Sequence, residues 1–211
     1  MFNFCSLYSG SSGNSLYVET ENTRLLIDAG VSSKKIESAL TNLDVDPASI
    51  NGILVTHEHS DHVQGLGTFA KKFNLPIYVN QKTLDAMPKQ RDKIKEENIN
   101  NIKIEEKFEI GDLQIKPFAI PHDAANPCGF NIFKGDQKIS IATDIGHMTN
   151  GILKNLEDSI FVLLESNFFD IRLRLLQNYF SYQIVSNYST IFSLLCSSPL
   201  KTLLIFFSCN F

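Results

Sequence analysis

His57-Glu58-His59-Ser60-Asp61-His62 places three histidines and one aspartate within six positions, directly after the apolar run Ile53-Leu54-Val55. Imidazole and carboxylate are the donors that borderline divalent metals such as Zn²⁺ and Mn²⁺ prefer. In an extended chain, alternation turns His57, His59 and Asp61 to one side, and a turn at Ser60-Asp61 brings His62 round to the same point. One tetrahedral zinc does not need so many ligands so close together, whereas two adjacent metals do. The competing reading is an exposed polar turn with chance histidines. The chain holds only five histidines and three are here, which favours the metal.

Two further positions fit this cluster. His122 follows Phe118-Ala119-Ile120-Pro121, and Asp144 ends Ile139-Ser140-Ile141-Ala142-Thr143. Both stand where a strand leaves the core, a common place for site residues on a rigid scaffold. Taken singly, His122 reads as a structural histidine after proline and Asp144 as a helix N-cap. Taken with the first cluster they complete a metal-site constellation. The stretch 9–15 offers backbone N–H groups, with Ser12 and Asn14, to a substrate phosphate, or else is a glycine-rich hairpin turn. His147 reads as a proton donor beside the site or as a helix-entry residue. Glu58 points away from its histidine neighbours under alternation and reads as a surface or outer-sphere group. The charge run at 89–97 reads as a solvated helix face.

The elements that must position these groups alternate between strand and helix. Strand-like runs fall at 2–8, 15–19, 24–28, 52–56 and 76–79, then at 113–120, 129–133, 138–142 and 160–164. Residues 32–41 have helical spacing, with Ser32 or Ser33 as N-cap. A second helix follows the histidine motif, with Val63, Leu66, Phe69, Ala70 and Phe73 on its apolar face. Residues 81–98 read as one or two exposed helices broken near Pro88. Lys134-Gly135-Asp136-Gln137 reads as a hairpin turn, and a helix near 149–156 separates the last two strands.

A chain of 211 residues suits one large domain, or one domain plus a fragment. The net charge of −4 excludes a global basic field of the kind that marks many nucleic-acid binders. Bound cations would supply positive charge locally, so a nucleic-acid substrate stays open. Cys5, Cys128, Cys196 and Cys209 are widely spaced with no CxxC pair, which fits reduced thiols in a cytoplasmic protein. The start Met1-Phe2-Asn3-Phe4 has no secretory signal pattern, and no run reaches the ~18 uncharged apolar residues of a membrane helix.

The character changes after Ser166. Beyond it lie four charged residues (Asp170, Arg172, Arg174 and Lys201), no glycine, no glutamate and no histidine, yet ten aromatics. The apolar residues there keep no period of two or 3.6. The expected organisation is therefore a domain at 1–167 and an atypical apolar tail at 168–211. That tail reads as a buried hairpin, a membrane-touching segment, or the product of a reading-frame shift near codons 166–168.

HxHxDH followed by a distant histidine and a distant strand-terminal aspartate resembles the metallo-β-lactamase superfamily, and within it the WalJ/YycJ-like subgroup. Four stretches carry the resemblance: Ser9-Gly10-Ser11-Ser12-Gly13-Asn14-Ser15, Leu54-Val55-Thr56-His57-Glu58-His59-Ser60-Asp61-His62, Ile120-Pro121-His122-Asp123-Ala124-Ala125, and Ala142-Thr143-Asp144-Ile145-Gly146-His147. It implies an α+β fold, a four-layer αββα sandwich of two mixed sheets. It implies two divalent metal ions, Zn or Mn, with His57, His59 and His122 on the first, Asp61 and His62 on the second, and Asp144 between them. Such a pair activates water near neutral pH and stabilises a leaving oxygen. The subgroup implies 5′-to-3′ exonuclease action on DNA, while the spaced cysteines and the lack of a signal or membrane run point to the cytoplasm and away from membranes.

The departure falls near the end. Relatives of this kind add a last histidine, in a Gly-His-Leu-like motif, to the second metal, and His147 is the last histidine of these 211 residues. The match runs to Leu163-Leu164-Glu165-Ser166-Asn167, where Phe168-Phe169-Asp170 replaces the expected His-Asp. A weakened second metal site and an incomplete last layer are therefore expected. Thioester hydrolysis of the glyoxalase II kind is the alternative activity. A truncated product with weak or no catalysis is the alternative of another class.

Overall fold

The apolar runs pair into two mixed sheets in the computed structural model, which describes residues 1–165 and the strand segments Ser181–Gln183, Phe192–Ser193 and Thr202–Phe206. The chain divides into two units. The first holds Met1–Ile102 with Ala124–Asn126 and Tyr188–Leu194, and the second holds Lys103–Asp123, Pro127–Asn187 and Leu195–Phe211.

In the first unit, β1 (Asn3–Tyr8), β2 (Ser15–Glu19) and β3 (Arg24–Ile27) form an antiparallel meander. The sheet continues in parallel through β4 (Gly52–Leu54), β5 (Ile77–Val79) and β6 (Ile99–Asn101). The parallel strands need crossovers, and helices supply them. These are α1 (Ser33–Thr41) after β3, α2 (Ser60–Val63) and α3 (Leu66–Phe73) after β4, and α4 (Gln81–Ala86) and α5 (Pro88–Arg91) after β5. Ile36 and Leu40 of α1 and Leu66, Phe69 and Ala70 of α3 pack with Leu26, Ile53, Val55 and Ile77 in one buried cluster. Each of the leucine, isoleucine, valine and phenylalanine side chains among them contributes about 1.5–3 kcal/mol by burial.

The expected apolar stripe after the histidine motif is real, but it spans two helices. Their break falls at Gly65, where an added Cβ would lie 2.0 Å from the Val31 carbonyl oxygen. Ser32 is the N-cap of α1, without a side-chain cap bond, while Ser33 donates its hydroxyl to Glu37 Oε1 at 2.8 Å.

The second unit contains β7 (Phe108–Ile110), β8 (Leu113–Ala119), β9 (Cys128–Lys134), β10 (Gln137–Ala142), α6 (Asn150–Leu156) and β11 (Phe161–Glu165). β7 to β10 run antiparallel in sequence order, and α6 carries the chain over to β11, parallel to β10. Ile152 and Leu156 of α6 pack on Phe118, Ala142, Val162 and Leu164.

β12 (Ser181–Gln183), β13 (Phe192–Ser193) and β14 (Thr202–Phe206) extend the sheets. β14 pairs in parallel with β11 and β12 with β14, while β13 lies antiparallel to β1. The expectation of an atypical tail at 168–211 otherwise falls outside the described residues. Among the described residues no helix is long and apolar enough to cross a membrane. Cys5 and Cys128 are buried thiols without a disulfide.

β6 and β7 are elements that the pattern of residues did not announce. β6 reads Ile-Asn-Asn, part-exposed and, among the described residues, partnered by β5 alone, and it carries no apolar alternation. β7 has three residues, too few to show a period.

Candidate metal centre

In the first unit the carboxyl ends of the parallel strands point to one edge, the edge where open sheets of this kind hold ligands. β3 delivers Asp28 there, β4 delivers residues 55–62, and β5 delivers Asn80. The histidine motif leaves β4 extended and turns into α2 at Ser60, with His59 as N-cap. His57 and His62 are buried, and His59 and Asp61 are half-buried. The turn does gather the motif. The His57 ring centroid lies 4.7 Å from that of His59 and 4.1 Å from that of His62, and His62 Nε2 lies 3.6 Å from Asp61 Oδ2.

Asp28 organises this group. Its carboxylate is 1% exposed and accepts three hydrogen bonds. Oδ1 accepts the Thr56 backbone N–H at 2.8 Å, and Oδ2 accepts the Thr56 hydroxyl at 2.6 Å and His62 Nδ1 at 2.7 Å. A hydroxyl has one proton. Since Thr56 gives it to Asp28, its oxygen accepts from His57 Nδ1 at 3.0 Å. Both histidines therefore carry their proton on Nδ1 and present Nε2 as the acceptor nitrogen. This is how outer carboxylates orient metal-binding imidazoles. The donor set of the first unit thus fits a divalent cation by the tautomers that its hydrogen bonds impose.

The loops around Asp28 are stitched to the motif by main-chain bonds. Ala29 N–H donates to the His62 carbonyl at 2.8 Å, Gly30 N–H to that of Asn14 at 2.8 Å, and Asn14 N–H to that of Asp61 at 2.7 Å. A Cβ at position 30 would sit 1.6 Å from the Asp61 carbonyl oxygen, so only glycine permits this approach. Asn14 is buried. Its Oδ1 accepts from Gly10 N–H at 2.8 Å, which assigns the amide, and its Nδ2 lies 2.9 Å from His62 Nε2. Ser12 is exposed on the neighbouring turn, which the Gly13 N–H closes onto the Gly10 carbonyl at 3.0 Å.

In the second unit His122 and Asp144 follow β8 and β10. β9 is antiparallel to both strands, so their carboxyl ends share one edge of that sheet. Gly146 N–H donates to the Pro121 carbonyl at 2.9 Å and ties the two loops together. Asp144 adopts φ 52°, the left-handed conformation that Asp28 also adopts at φ 62°. His147 is exposed, two residues before Thr149, the side-chain cap of α6.

Asp28, Thr56 and Asn80 are contributors that lie outside the metal-ligand pattern of the sequence. For Asp28 the signal was present: the run 24–28 ends on an aspartate, the same pattern that picks out Asp144. For Thr56 and Asn80 there was no signal beyond their position after a strand.

Residues 23–181 match the family described as the beta-lactamase superfamily domain. The chain is 38% identical over 175 residues to exodeoxyribonuclease YycJ of Bacillus anthracis, covering 78% of this chain and 62% of that protein. It is 36% identical over 168 residues to exodeoxyribonuclease WalJ of Streptococcus pneumoniae, covering 79% of this chain and 62% of the relative. The chain thus spans about three fifths of the length of these curated relatives, 62% in each case. Among solved structures, the metallo-beta-lactamase fold protein YhfI of Bacillus subtilis superposes with a TM-score of 0.66 at 18% identity, over 79% of this chain and 71% of that one. That likeness shows the fold: a mixed α+β arrangement with two sheets, of the metallo-β-lactamase kind.

Proposed function

The chain belongs to the beta-lactamase superfamily domain family, and from that premise we propose a metal-dependent hydrolase of phosphodiesters, acting on DNA ends as an exonuclease. The observation that carries the metal is the bonding of Asp28 to His62 Nδ1 and, through Thr56, to His57 Nδ1. Nature of substrate is inferred from the two exodeoxyribonucleases to which the chain is 38% and 36% identical. When bound, the ions activate water and stabilise charge on the leaving oxygen.

In this reading His57, His59 and His122 would hold the first ion, Asp61 and His62 would contribute to a second, and Asp144 would serve as a ligand to both. The ions are Zn²⁺ or Mn²⁺, by the preference of imidazole and carboxylate donors. Among these 211 residues the second ion would have Asp61, His62 and Asp144, one imidazole against the three of the first, and would be held more weakly. Asp61 would orient the attacking water as well as bind metal. The turn carrying Ser12 offers its exposed hydroxyl to a substrate phosphate. Contact of Asn14 with substrate requires its amide to leave His62. His147 is the proton donor of this reading, because it is exposed and follows Asp144 by three residues. The hydrolase domain is assigned to 1–167, on the compositional change after Ser166, and the compartment to the cytoplasm.

The test is turnover by one metal-loaded sample of a 5′-phosphorylated DNA strand and of an acyl thioester. Release of nucleotides from the DNA end, abolished by chelator, is the expected result. Thioester turnover alone would move the assignment to the glyoxalase II kind. Turnover of neither would make the chain a non-catalytic product.

A further inference from the structure

We propose that Glu58 and Asn80 are positioning residues that hold His122 in place by clamping the main chain of Ala125 and Asn126. The proposal rests on the reading of His122 as a metal ligand. Glu58 stands between His57 and His59, so the two-residue period that sends both rings one way sends its carboxylate the other. There Oε1 accepts the Ala125 N–H at 2.7 Å, across 67 residues of sequence. Asn80, 3% exposed at the end of β5, donates Nδ2 to the Asn126 carbonyl at 2.9 Å. Asn126 Nδ2 donates back to Asn80 Oδ1 at 3.2 Å. Asn80 is itself fixed by Thr83, whose N–H it caps at 3.1 Å and whose hydroxyl accepts from its Nδ2 at 3.0 Å.

Two consecutive residues are thus gripped by the ends of two adjacent strands. Both grips lie within the first unit, to which Glu58, Asn80 and Ala124–Asn126 all belong. The loop is closed at its base by Ile120 N–H on the Pro127 carbonyl at 3.1 Å. His122 stands three residues before Ala125, so fixing the Ala125 main chain narrows the positions open to His122. A ligand held before the ion arrives costs less order at binding. The carboxylate gives Glu58 a charge-assisted bond to a backbone N–H, stronger than a neutral one. Glu58 Oε2 is buried with no partner among the described residues, so the grip runs through Oε1 alone.

The experiment is zinc affinity by chelator competition, with amide exchange of Ala125 in the metal-free chain. The set is wild type, Glu58→Ala, Glu58→Gln, Asn80→Asp, His122→Ala and Glu58→Ala/His122→Ala. Glu58→Gln keeps the acceptor oxygen, and Asn80→Asp keeps the cap on Thr83 while losing the donor to Asn126. These two keep the test decisive if Glu58→Ala fails to fold. Removing an orienting partner weakens metal binding by about tenfold or more. Glu58→Ala and Asn80→Asp should show that loss and Glu58→Gln a smaller one. Glu58→Ala should add nothing once His122 is gone, and should speed exchange at Ala125 without metal. Unchanged affinity in Glu58→Ala, an equal loss in the His122→Ala background, or unchanged Ala125 exchange would each overturn the clamp. If His122→Ala alone leaves affinity intact, the reading of His122 as a ligand fails, and the clamp with it.

Discussion

Asp28 Oδ2 accepts the Nδ1 proton of His62 at 2.7 Å, with His62 wholly buried and Asp28 only 1% exposed. One carboxylate thereby sets the tautomer of His62 directly and that of His57 through the Thr56 hydroxyl. A metal centre built this way has its acceptor nitrogens chosen before any ion binds.

Asp28→Asn keeps the shape and loses the charge. An amide in place of the carboxylate cannot accept from Thr56 and His62 on both atoms. Zinc affinity should fall about 10–100-fold, read by chelator competition. Asp28→Ala should also destabilise the metal-free chain by about 3 kcal/mol, since it strands the buried His62 and Thr56 donors. Wild-type affinity in Asp28→Asn would mean that the tautomers are set in another way.

His59→Ala and Asp61→Ala should each abolish DNA hydrolysis while leaving the thermal midpoint of the metal-free chain close to wild type. Both side chains are half-buried at the sheet edge and neither belongs to the apolar cluster. Circular dichroism and the nuclease assay on the same samples separate the two effects. Activity surviving in His59→Ala would detach the reaction from this motif.

The histidine motif was legible because its chemistry is local: three of its six residues are histidines, of which the chain has five, and the spacing itself makes the geometry. Asp144 was legible as an aspartate ending an apolar strand. Asp28 has the same signature, but it lies 34 residues from its histidine and nothing local marks the pairing. The outward direction of Glu58 followed from alternation, but its target did not, since a backbone N–H has no side-chain identity to read. Long apolar strands such as β8 to β11 declared themselves, whereas β6, with two asparagines, formed because β5 offered it an edge.

Gly30→Ala should destabilise the chain by about 3 kcal/mol or more. Its Cβ would lie 1.6 Å from the Asp61 carbonyl oxygen and 2.6 Å from the Asn14 nitrogen, both backbone atoms that a side-chain rotation cannot clear. Urea unfolding of the metal-free form measures this. A loss within a few tenths of a kcal/mol would show that the 28–30 loop moves freely away from Asp61.

Glu37 and Lys72 link α1 to α3 at the surface, with Lys72 Nζ donating to Glu37 Oε2 at 2.6 Å. The lysine bond, aided by the Ser33 hydroxyl, holds the Glu37 carboxyl below the usual glutamate range. A depressed folded-state pKa gives stability that is present above the unfolded pKa and lost as pH falls through the folded one. Lys72→Met should therefore cost about 0.5 kcal/mol near neutral pH. The cost should vanish below the folded pKa of Glu37. Urea titrations at neutral and acid pH check it, and a cost that grows on acidification would have the wrong sign.

Zinc bound per chain after exhaustive dialysis, compared between wild type and the His57→Ala/His59→Ala double variant, tests the central claim most directly. Wild type should retain about one ion per chain, held by a full imidazole set, with a second lost to the buffer. The double variant should retain none. Equal zinc in both proteins would contradict a metal centre built on His57 and His59.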